Sequence, residues 1–231
     1  MPSPNIWAHP QLYEIENRAA DPHGHLAAAV ASVYDVTGRD VLDIGCGTGF
    51  HLRSFPAART VVGVEPHPDL VAIAARRVRH LPWVSVRLGT AQSLPLPAAS
   101  VDLAHARLAY FFGPGCEPGL AELVRVLRPG GVAVVIDNDA SRSTFGSWFR
   151  RGFPDLDPDA VTAFWEAQGF TRVDVDMGLR FDSRADLEAV IRIELDGDTA
   201  DAALTAHEGL EVDYAVNLWW KRYSPAPRGS G

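Results

Sequence analysis

The order of apolar and polar residues predicts strands that alternate with helices. Two runs, residues 41–44 and 60–64, are almost continuously apolar and rich in β-branched residues, which is typical of strands buried on both faces of a parallel sheet. An alternating run is found at residues 84–88, and further strands are predicted at 100–104 and 132–136. Apolar residues at helical spacing predict a crossover helix between the last two strands: Leu120, Leu123, Val124 and Leu127. The pattern favours an α/β fold.

Capping residues place the elements of the C-terminal third. Asp157 as N-cap, Pro158 at the first helical position and Gly169 after the last turn predict one helix. Ser183, followed by Asp186, predicts the start of another. Residues 170–177 and 210–223 are predicted to be strands.

No repeat or linker divides the chain, so we predict one structural domain. Residues 1–35 are expected to form an N-terminal cap of helices, and residues 36–223 the α/β domain. Residues 224–231 are rich in Pro, Gly and Ser and are expected to be a disordered tail. Part of that tail, Pro-Arg-Gly-Ser, also matches a common engineered protease site, so it is left out of the functional reasoning.

A glycine-rich loop comes directly after the first strand. It has the form G-x-G-x-G, from Gly45 to Gly49, and the second strand ends at Glu65. Glycine lets a backbone approach a ligand where a Cβ would collide. An ionised carboxylate at the end of the second strand can accept hydrogen bonds from both hydroxyls of a ribose. The two features predict a nucleoside-cofactor site.

The loop spacing separates two kinds of nucleoside cofactor. A dinucleotide fingerprint requires G-x-G-x-x-G, but the third glycine, Gly49, comes one residue early. Asp43 stands two positions before the first glycine. A carboxylate there would repel a pyrophosphate, whereas it suits a cofactor that carries an ammonium group.

At these residues the chain resembles the class I S-adenosylmethionine-dependent methyltransferases of the small-molecule, type 11-like kind. The resemblance implies a doubly wound, mostly parallel seven-stranded sheet with helices on both faces and an antiparallel last strand. It implies S-adenosylmethionine as cofactor and S-adenosylhomocysteine as product, with the loop glycines around the methionine end, Asp43 supporting the ammonium group and Glu65 on the ribose. The loop and ribose contacts so implied are Asp43, Gly45, Cys46, Gly47, Gly49, Glu65 and Pro66.

The loop after the third strand resembles the segment of that family that meets the adenine. Here it implies contacts from Thr90, Ala91 and Gln92. Many members have Asp where this chain has Thr90, and a threonine hydroxyl cannot offer a carboxylate to the exocyclic amine.

Methyl transfer from a sulfonium needs little beyond an aligned nucleophile, so positioning is expected to supply most of the acceleration. If a general base is used, His105 at the end of the fourth strand is the candidate, and it is also a candidate cofactor contact. The alternative is a histidine fixed by hydrogen bonds. Tyr110 either orients the acceptor or packs beside Phe111 and Phe112. Arg107 either pairs with an acceptor carboxylate or forms a structural ion pair.

Two segments remain to build an acceptor pocket, the N-terminal cap and the segment after the fifth strand. We treat residues 137–154 as a loop whose aromatic residues either roof an apolar pocket or pack onto the protein. If they roof a pocket, the acceptor is expected to be a small, fairly hydrophobic molecule. The candidate pocket residues are Tyr13, Arg107, Asp137, Asp139, Phe145 and Trp148.

No metal is predicted. Asp137 and Asp139 offer hard oxygen ligands of the kind used by the catechol-type branch of this superfamily. That branch also needs an acidic ligand at the end of the fourth strand, where this chain has His105 and Arg107.

Composition narrows the possible partners. A formal net charge of −8 argues against nucleic acid, and no apolar run approaches the ~20 residues that span a bilayer. Two cysteines, no apparent signal peptide and one lysine among 21 basic residues suggest a cytoplasmic, bacterial protein. The expected function is methyl transfer to oxygen, nitrogen or carbon of a small acceptor. The alternatives are a cyclase-type enzyme or a cofactor-sensing module that binds S-adenosylmethionine without transferring its methyl group.

Overall fold

The computed structural model describes residues 4–110 and 113–224. Phe111, Phe112 and nearly all of the tail predicted to be disordered lie outside the described residues. The strands are β1 (Asp40–Ile44), β2 (Thr60–Glu65), β3 (Val84–Leu88), β4 (Val101–Arg107), β5 (Leu127–Asn138), β6 (Thr171–Asp176), β7 (Leu179–Arg180), β8 (Glu211–Val212) and β9 (Ala215–Arg222). The helices are α1 (Pro4–Ala8), α2 (Pro10–Ala19), α3 (His25–Val33), α4 (Pro68–Val78), α5 (Glu117–Val126), α6 (Thr144–Gly152), α7 (Pro158–Ala167), α8 (Arg184–Glu194) and α9 (Gly197–Ala206).

Within the described residues, seven strands form one sheet in the order β3-β2-β1-β4-β5-β9-β6. The first five strands pair in parallel. The last strand, β9, runs antiparallel to β5, since Gly130 and Tyr223 form a hydrogen bond at one end of the pair and Asp139 N donates to Ala215 O at the other. The predicted mostly parallel sheet with an antiparallel last strand is therefore confirmed.

Burial explains why these runs become central strands. All five residues of β1 are buried, and residues 131–137 of β5 are buried without a break. Neither face of these strands can reach water, which is why the sequence is continuously apolar there instead of alternating.

Several elements differ from the sequence-based expectation. The segment 137–154, treated as a loop, contains helix α6, whose N-cap Ser143 accepts a hydrogen bond from Gly146 N. Helix α9, capped by Asp196, was not predicted. The strand predicted at 210–223 is two strands, because Tyr214 between them turns its carbonyl to the amides of residues 177 and 178. In α5, Val124 is 45% exposed and does not belong to the buried face.

The described residues group into two compact units. The sheet unit comprises the described residues within Val30–Asp137, Phe164–Arg172 and Leu218–Gly231. It contains β1 to β4, α4 and α5. The helical unit comprises the described residues within Met1–Ala29, Asn138–Ala163 and Val173–Asn217, and it contains α1, α2, α6, α8, α9 and the antiparallel pair β7–β8. None of the helices described is both long and apolar enough to cross a bilayer.

Candidate cofactor site

The glycine loop, residues 45–49, follows the carboxyl end of β1. Its backbone conformation is unfavourable for residues that carry a Cβ. Gly45, Gly47 and Gly49 have φ of 72°, 54° and 76°. A Cβ on Gly45 would also lie 2.7 Å from Cβ of Ala109. The loop therefore needs glycine both for its backbone and for its close approach to neighbouring elements.

Cys46 lies in this loop with its side chain in the protein interior. It is 9% exposed, and Gly63 of β2 leaves the room for it, since a Cβ there would lie 2.8 Å from the Cys46 sulfur. Burial and the nearby carboxylates Asp43 and Glu65 raise the pKa of the thiol. Cys46 thus packs the loop onto β2 as a neutral side chain.

Glu65 at the end of β2 binds the glycine loop through its side chain. One carboxylate oxygen accepts from Gly47 N and the other from His67 N, each at 3.0 Å. Burial raises the pKa of this carboxyl, and the two amide hydrogen bonds oppose that rise. A carboxylate has about four acceptor positions, so two remain for a ribose diol. The sequence indicated a ribose ligand but did not reveal this second role in holding the loop.

Asp43 and His105 form a buried pair on neighbouring strands. The register of β1 and β4 places the two residues side by side, and Nδ1 of His105 lies 2.7 Å from Oδ1 of Asp43. Each side chain is only 6% exposed. The ring of Phe55 meets the imidazole edge-on, with centroids 5.5 Å apart. His105 is thus fixed by a hydrogen bond, as one of its two sequence interpretations required; its use as a base or cofactor contact stays a prediction.

Arg107 and His51 form a second pair in the sheet unit. Nη1 of Arg107 donates to Nε2 of His51 at 3.1 Å. Burial, followed by the charges of Arg107 and His105, lowers the pKa of His51 well below its usual value. A neutral imidazole is the form that can accept from a guanidinium.

The adenine segment begins beside Glu65. Gly89 N donates to the backbone oxygen of Glu65, and Thr90 O then accepts from Ser93 N in a tight turn. The side chains of Thr90 and Gln92 are exposed, Ala91 is half-buried, and Pro66 is exposed next to Glu65. The residues predicted to contact ribose and adenine therefore follow the ends of the paired strands β2 and β3. Their contacts with the cofactor stay predictions.

Tyr110 lies in the core of the sheet unit. It is 4% exposed, and its hydroxyl donates to Gly119 O at 3.3 Å. Burial raises the pKa of this phenol. These observations favour packing, the second of the two roles considered for Tyr110.

The predicted acceptor residues are divided between the two units. The sheet unit holds Arg107 and Asp137, and Asp137 is 1% exposed with a pKa raised by burial to about 7. The helical unit holds Tyr13, Asp139, Phe145 and Trp148.

In the helical unit, Asp139 organises a turn. One of its oxygens accepts from Ser141 N at 2.9 Å, and the other accepts from Arg142 at 2.6 Å. Phe145 and Trp148 are buried on α6, where Phe145 packs against Tyr214 with ring centroids 4.6 Å apart. These contacts favour the packing interpretation of the aromatic segment.

Among the residues described, no three His, Cys, Asp or Glu side chains are grouped so that they could hold a metal ion. The absence of a metal stays a prediction, because function in the presence of a chelator is what tests it.

Comparison with known proteins finds a family match in the middle of the chain. Residues 42–135 match the family model of a methyltransferase domain, a segment that starts in β1 and ends in β5. This segment is similar to the class I S-adenosylmethionine-dependent methyltransferases. The structure of YcgJ from Bacillus subtilis superposes on this chain with a TM-score of 0.64 over 88% of this chain and 100% of its own, at 19% identity, a likeness of fold.

Two further relatives bear on activity. Nocamycin O-methyltransferase of Saccharothrix syringae is 40% identical over 102 residues, which are 41% of this chain and 36% of that enzyme. The [4+2]-cyclase SpnF has a TM-score of 0.59 and 25% identity, covering 87% of this chain and 80% of its own. The chain spans between 34% and 65% of the length of the curated relatives compared.

The residues around the glycine loop fit S-adenosylmethionine, the cofactor of the family that the segment resembles. Glu65 retains acceptor positions for a ribose diol, and Asp43 is a carboxylate two residues before the loop, suited to an ammonium group. The third glycine, Gly49, comes one residue earlier than the dinucleotide fingerprint requires. The donor and acceptor set therefore agrees with the family's cofactor and not with a dinucleotide.

Proposed function

We propose that the chain transfers the methyl group of S-adenosylmethionine to a small, fairly hydrophobic organic acceptor. The observation that carries the proposal is the glycine loop held by Glu65 within a segment that matches the methyltransferase family. The cofactor supplies an electrophilic methyl group on a sulfonium. The residues of this chain bind and orient: Glu65 fixes the loop and the ribose, while Asp43, oriented by His105, faces the ammonium group.

A small acceptor is supported by two observations. Nocamycin O-methyltransferase, 40% identical over the matched segment, is named for a small molecule. The net charge of −8 disfavours a polyanionic substrate such as nucleic acid. Oxygen, nitrogen and carbon remain possible attacking atoms, and the proposal assigns most of the acceleration to alignment of the nucleophile.

Calorimetric titration with S-adenosylmethionine, S-adenosylhomocysteine and NAD⁺ is the first test. Binding of the first two without the third is the expected result, and binding of NAD⁺ alone would overturn the cofactor assignment. Purified protein with methyl-tritiated cofactor is then screened against hydrophobic small acceptors. Transfer of tritium to an acceptor is the result that the proposal requires.

A second candidate function is supported by SpnF, a [4+2]-cyclase of similar fold and 25% identity. In that case the chain binds S-adenosylmethionine while a substrate cyclises, and the methyl group stays on the cofactor. The tritium assay separates the two functions, because a cyclase converts its substrate without incorporating label.

A further inference from the structure

A cavity lies at the amino ends of the parallel strands, within the sheet unit. Its volume is about 470 Å³, in the range of pockets that hold small organic ligands. Its walls come from residues 31–33 of α3, from Arg39 directly before β1, from Asp102 at the start of β4 and from Arg222, the last residue of β9. Because the glycine loop follows the carboxyl end of β1, the cavity and the candidate cofactor site lie at opposite ends of the strands.

Arg39 brings an uncommitted guanidinium group to this cavity. Its backbone is fixed, since its amide donates to Val36 O at 3.0 Å and its carbonyl oxygen accepts from Arg59 N at 2.8 Å. Its side chain is exposed and forms no hydrogen bond or ion pair with any residue that the structure describes. A guanidinium has five N–H donors in a planar fork that matches a carboxylate or a phosphate. Arg39 can therefore bind an oxyanion without losing a contact within the protein.

Arg222 is held at the same cavity by two contacts. Its Nη1 donates to Gly130 O at 3.0 Å, and its guanidinium carbon lies 5.6 Å from the centroid of the Tyr34 ring. Gly130 and Tyr34 also line the cavity. The two contacts restrict the long side chain and use only one of its N–H groups, so most of its donors remain available to a ligand.

Asp102, one of two carboxylates that line the cavity, has cationic partners of its own. Its Oδ2 accepts from Asp40 N at 2.9 Å and lies 2.9 Å from Nη1 of Arg128. Arg59 and Arg128 also pair with Asp40. The two carboxylates and two guanidinium groups form a network that is neutral by itself, so Asp102 does not compensate the arginines that line the cavity.

Asp35, the other carboxylate, is engaged in its own turn. Its Oδ1 accepts from Thr37 N at 2.9 Å. The hydrogen bonds from Thr37 lower the pKa of this carboxyl most, and the charge of Arg39 makes a smaller contribution in the same direction. Asp35 therefore offsets one of the two arginines without binding it. Arg39, Arg222 and Asp35 together leave the cavity with an excess of one positive charge.

We propose that this cavity binds a small organic anion through the guanidinium groups of Arg39 and Arg222. A carboxylate or phosphate group supplies the negative charge that the cavity lacks and accepts hydrogen bonds from both side chains. Ser32 and Tyr34 border the space for the rest of the ligand. The proposal does not rest on the proposed function, because binding at this end of the strands is measured without S-adenosylmethionine.

The test compares two anions with neutral molecules of similar shape: glutarate with glutaramide, and glycerol 2-phosphate with glycerol. Each is titrated into the full chain at constant ionic strength and followed by saturation-transfer difference NMR. At least one anion is expected to bind, and its neutral counterpart to bind far more weakly. The anion that binds more tightly shows whether the site prefers a carboxylate or a phosphate. Equal binding within both pairs, or binding of neither anion, would overturn the proposal.

Variants locate the bound anion. R39Q is expected to weaken anion binding by about tenfold or more, and R222Q to weaken it as well. R79Q removes an exposed arginine of the same unit that does not line the cavity, and is expected to bind like the unaltered chain. Ala31→Phe narrows the cavity without changing its charge, and is also expected to weaken binding.

The guanidinium that R39Q removes has no hydrogen-bond partner among the described residues, so this variant is expected to fold like the unaltered chain, which a circular-dichroism melt checks. Equal anion binding by R39Q and R79Q would show that the ligand is held elsewhere and would contradict the proposal. Unchanged binding by Ala31→Phe would contradict it in the same way. Calorimetric binding of S-adenosylmethionine is a separate measurement, so failure here is distinguishable from failure of the proposed function.

Discussion

The imidazole Nδ1 of His105 lies 2.7 Å from the carboxylate Oδ1 of Asp43, inside the parallel pair β1–β4. This joins the candidate base to the residue expected to support the cofactor's ammonium group. Since Nδ1 is occupied, only Nε2 is available to a substrate proton. His105 can therefore orient Asp43 through Nδ1 and still accept a proton at Nε2, and the two roles predict different kinetics.

If His105 orients Asp43, His105→Ala leaves a buried carboxylate without its partner. We expect weaker binding of S-adenosylmethionine, by about 1 to 3 kcal/mol in calorimetry. Partial recovery is expected in His105→Gln, whose amide can still donate. Exposed His80→Ala in the same unit is the control. A turnover loss of about 10²-fold or more in both variants with unchanged cofactor affinity would instead indicate a general base.

Glu65→Gln is expected to weaken cofactor binding by more than a lost ribose contact alone. An amide has one oxygen, so its NH₂ group must face the amide of either Gly47 or His67, donor against donor. We expect a loss of about 1.5 to 3 kcal/mol for both S-adenosylmethionine and S-adenosylhomocysteine, measured by calorimetry. The exposed Glu166→Gln serves as the control. Unchanged affinity in Glu65→Gln would remove Glu65 from the site.

The central strands and the cofactor loop were predictable because their causes are local. Strands buried on both faces must be continuously apolar, and β3 was predicted with the bounds that it has. The loop needs glycine at its positions of positive φ because other residues rarely adopt that backbone conformation, and this requirement does not depend on the neighbouring elements. The position of Glu65 at the edge of the sheet was predictable because a strand end fixes it, and its ribose contact stays a prediction.

The rest of the site depends on residues distant along the chain. Asp43 and His105 meet because β4 lies beside β1, a register that periodicity cannot supply. Helix α6 escaped prediction because two glycines and three aromatic residues in nine positions give low helix propensity, and tertiary packing of Phe145, Trp148 and Phe149 overrides it. Helix α9 buries two alanines, a threonine and a single leucine, so the sequence shows only a weak apolar face there.

Gly49→Ala and Gly38→Ala separate backbone strain from packing. Both glycines have positive φ, 76° and 68°, so each variant is expected to lose about 1 kcal/mol of unfolding free energy. Only at Gly49 would the new Cβ collide, at 2.9 Å from Cβ and 3.1 Å from Cα of Ala74 on α4. We expect a further loss of about 1 to 3 kcal/mol there in urea unfolding. Equal losses at the two positions would show that the loop and α4 can separate.

Methyl transfer is expected to continue in excess chelator. Arg107, a cation, occupies the end of β4 where a metal site of the catechol type needs an acid, and Asp139 is already engaged by Arg142. The measurement is the tritium-transfer rate before and after prolonged incubation with EDTA. Loss of activity that Mg²⁺ restores would contradict the prediction.

Asp137→Asn is expected to change how stability depends on pH. Burial raises the pKa of the Asp137 carboxyl from 3.8 to about 7 in the folded protein, while Trp165 opposes the rise. Between these values the folded chain keeps a proton that the unfolded chain releases, so this group makes stability fall as pH rises and has no further effect above about pH 7.

Removing the ionisable group removes that slope. Relative to the unaltered chain, Asp137→Asn should gain unfolding free energy steadily from pH 3.8 to about 7, up to about 4 kcal/mol in total. Any difference between the hydrogen bonds of the amide and those of the acid is independent of pH, so the slope in urea unfolding is the diagnostic. Asp155→Asn, at an exposed position, should leave the slope unchanged. Parallel stability curves for Asp137→Asn and the unaltered chain would mean that Asp137 ionises freely, and that water reaches its carboxyl group.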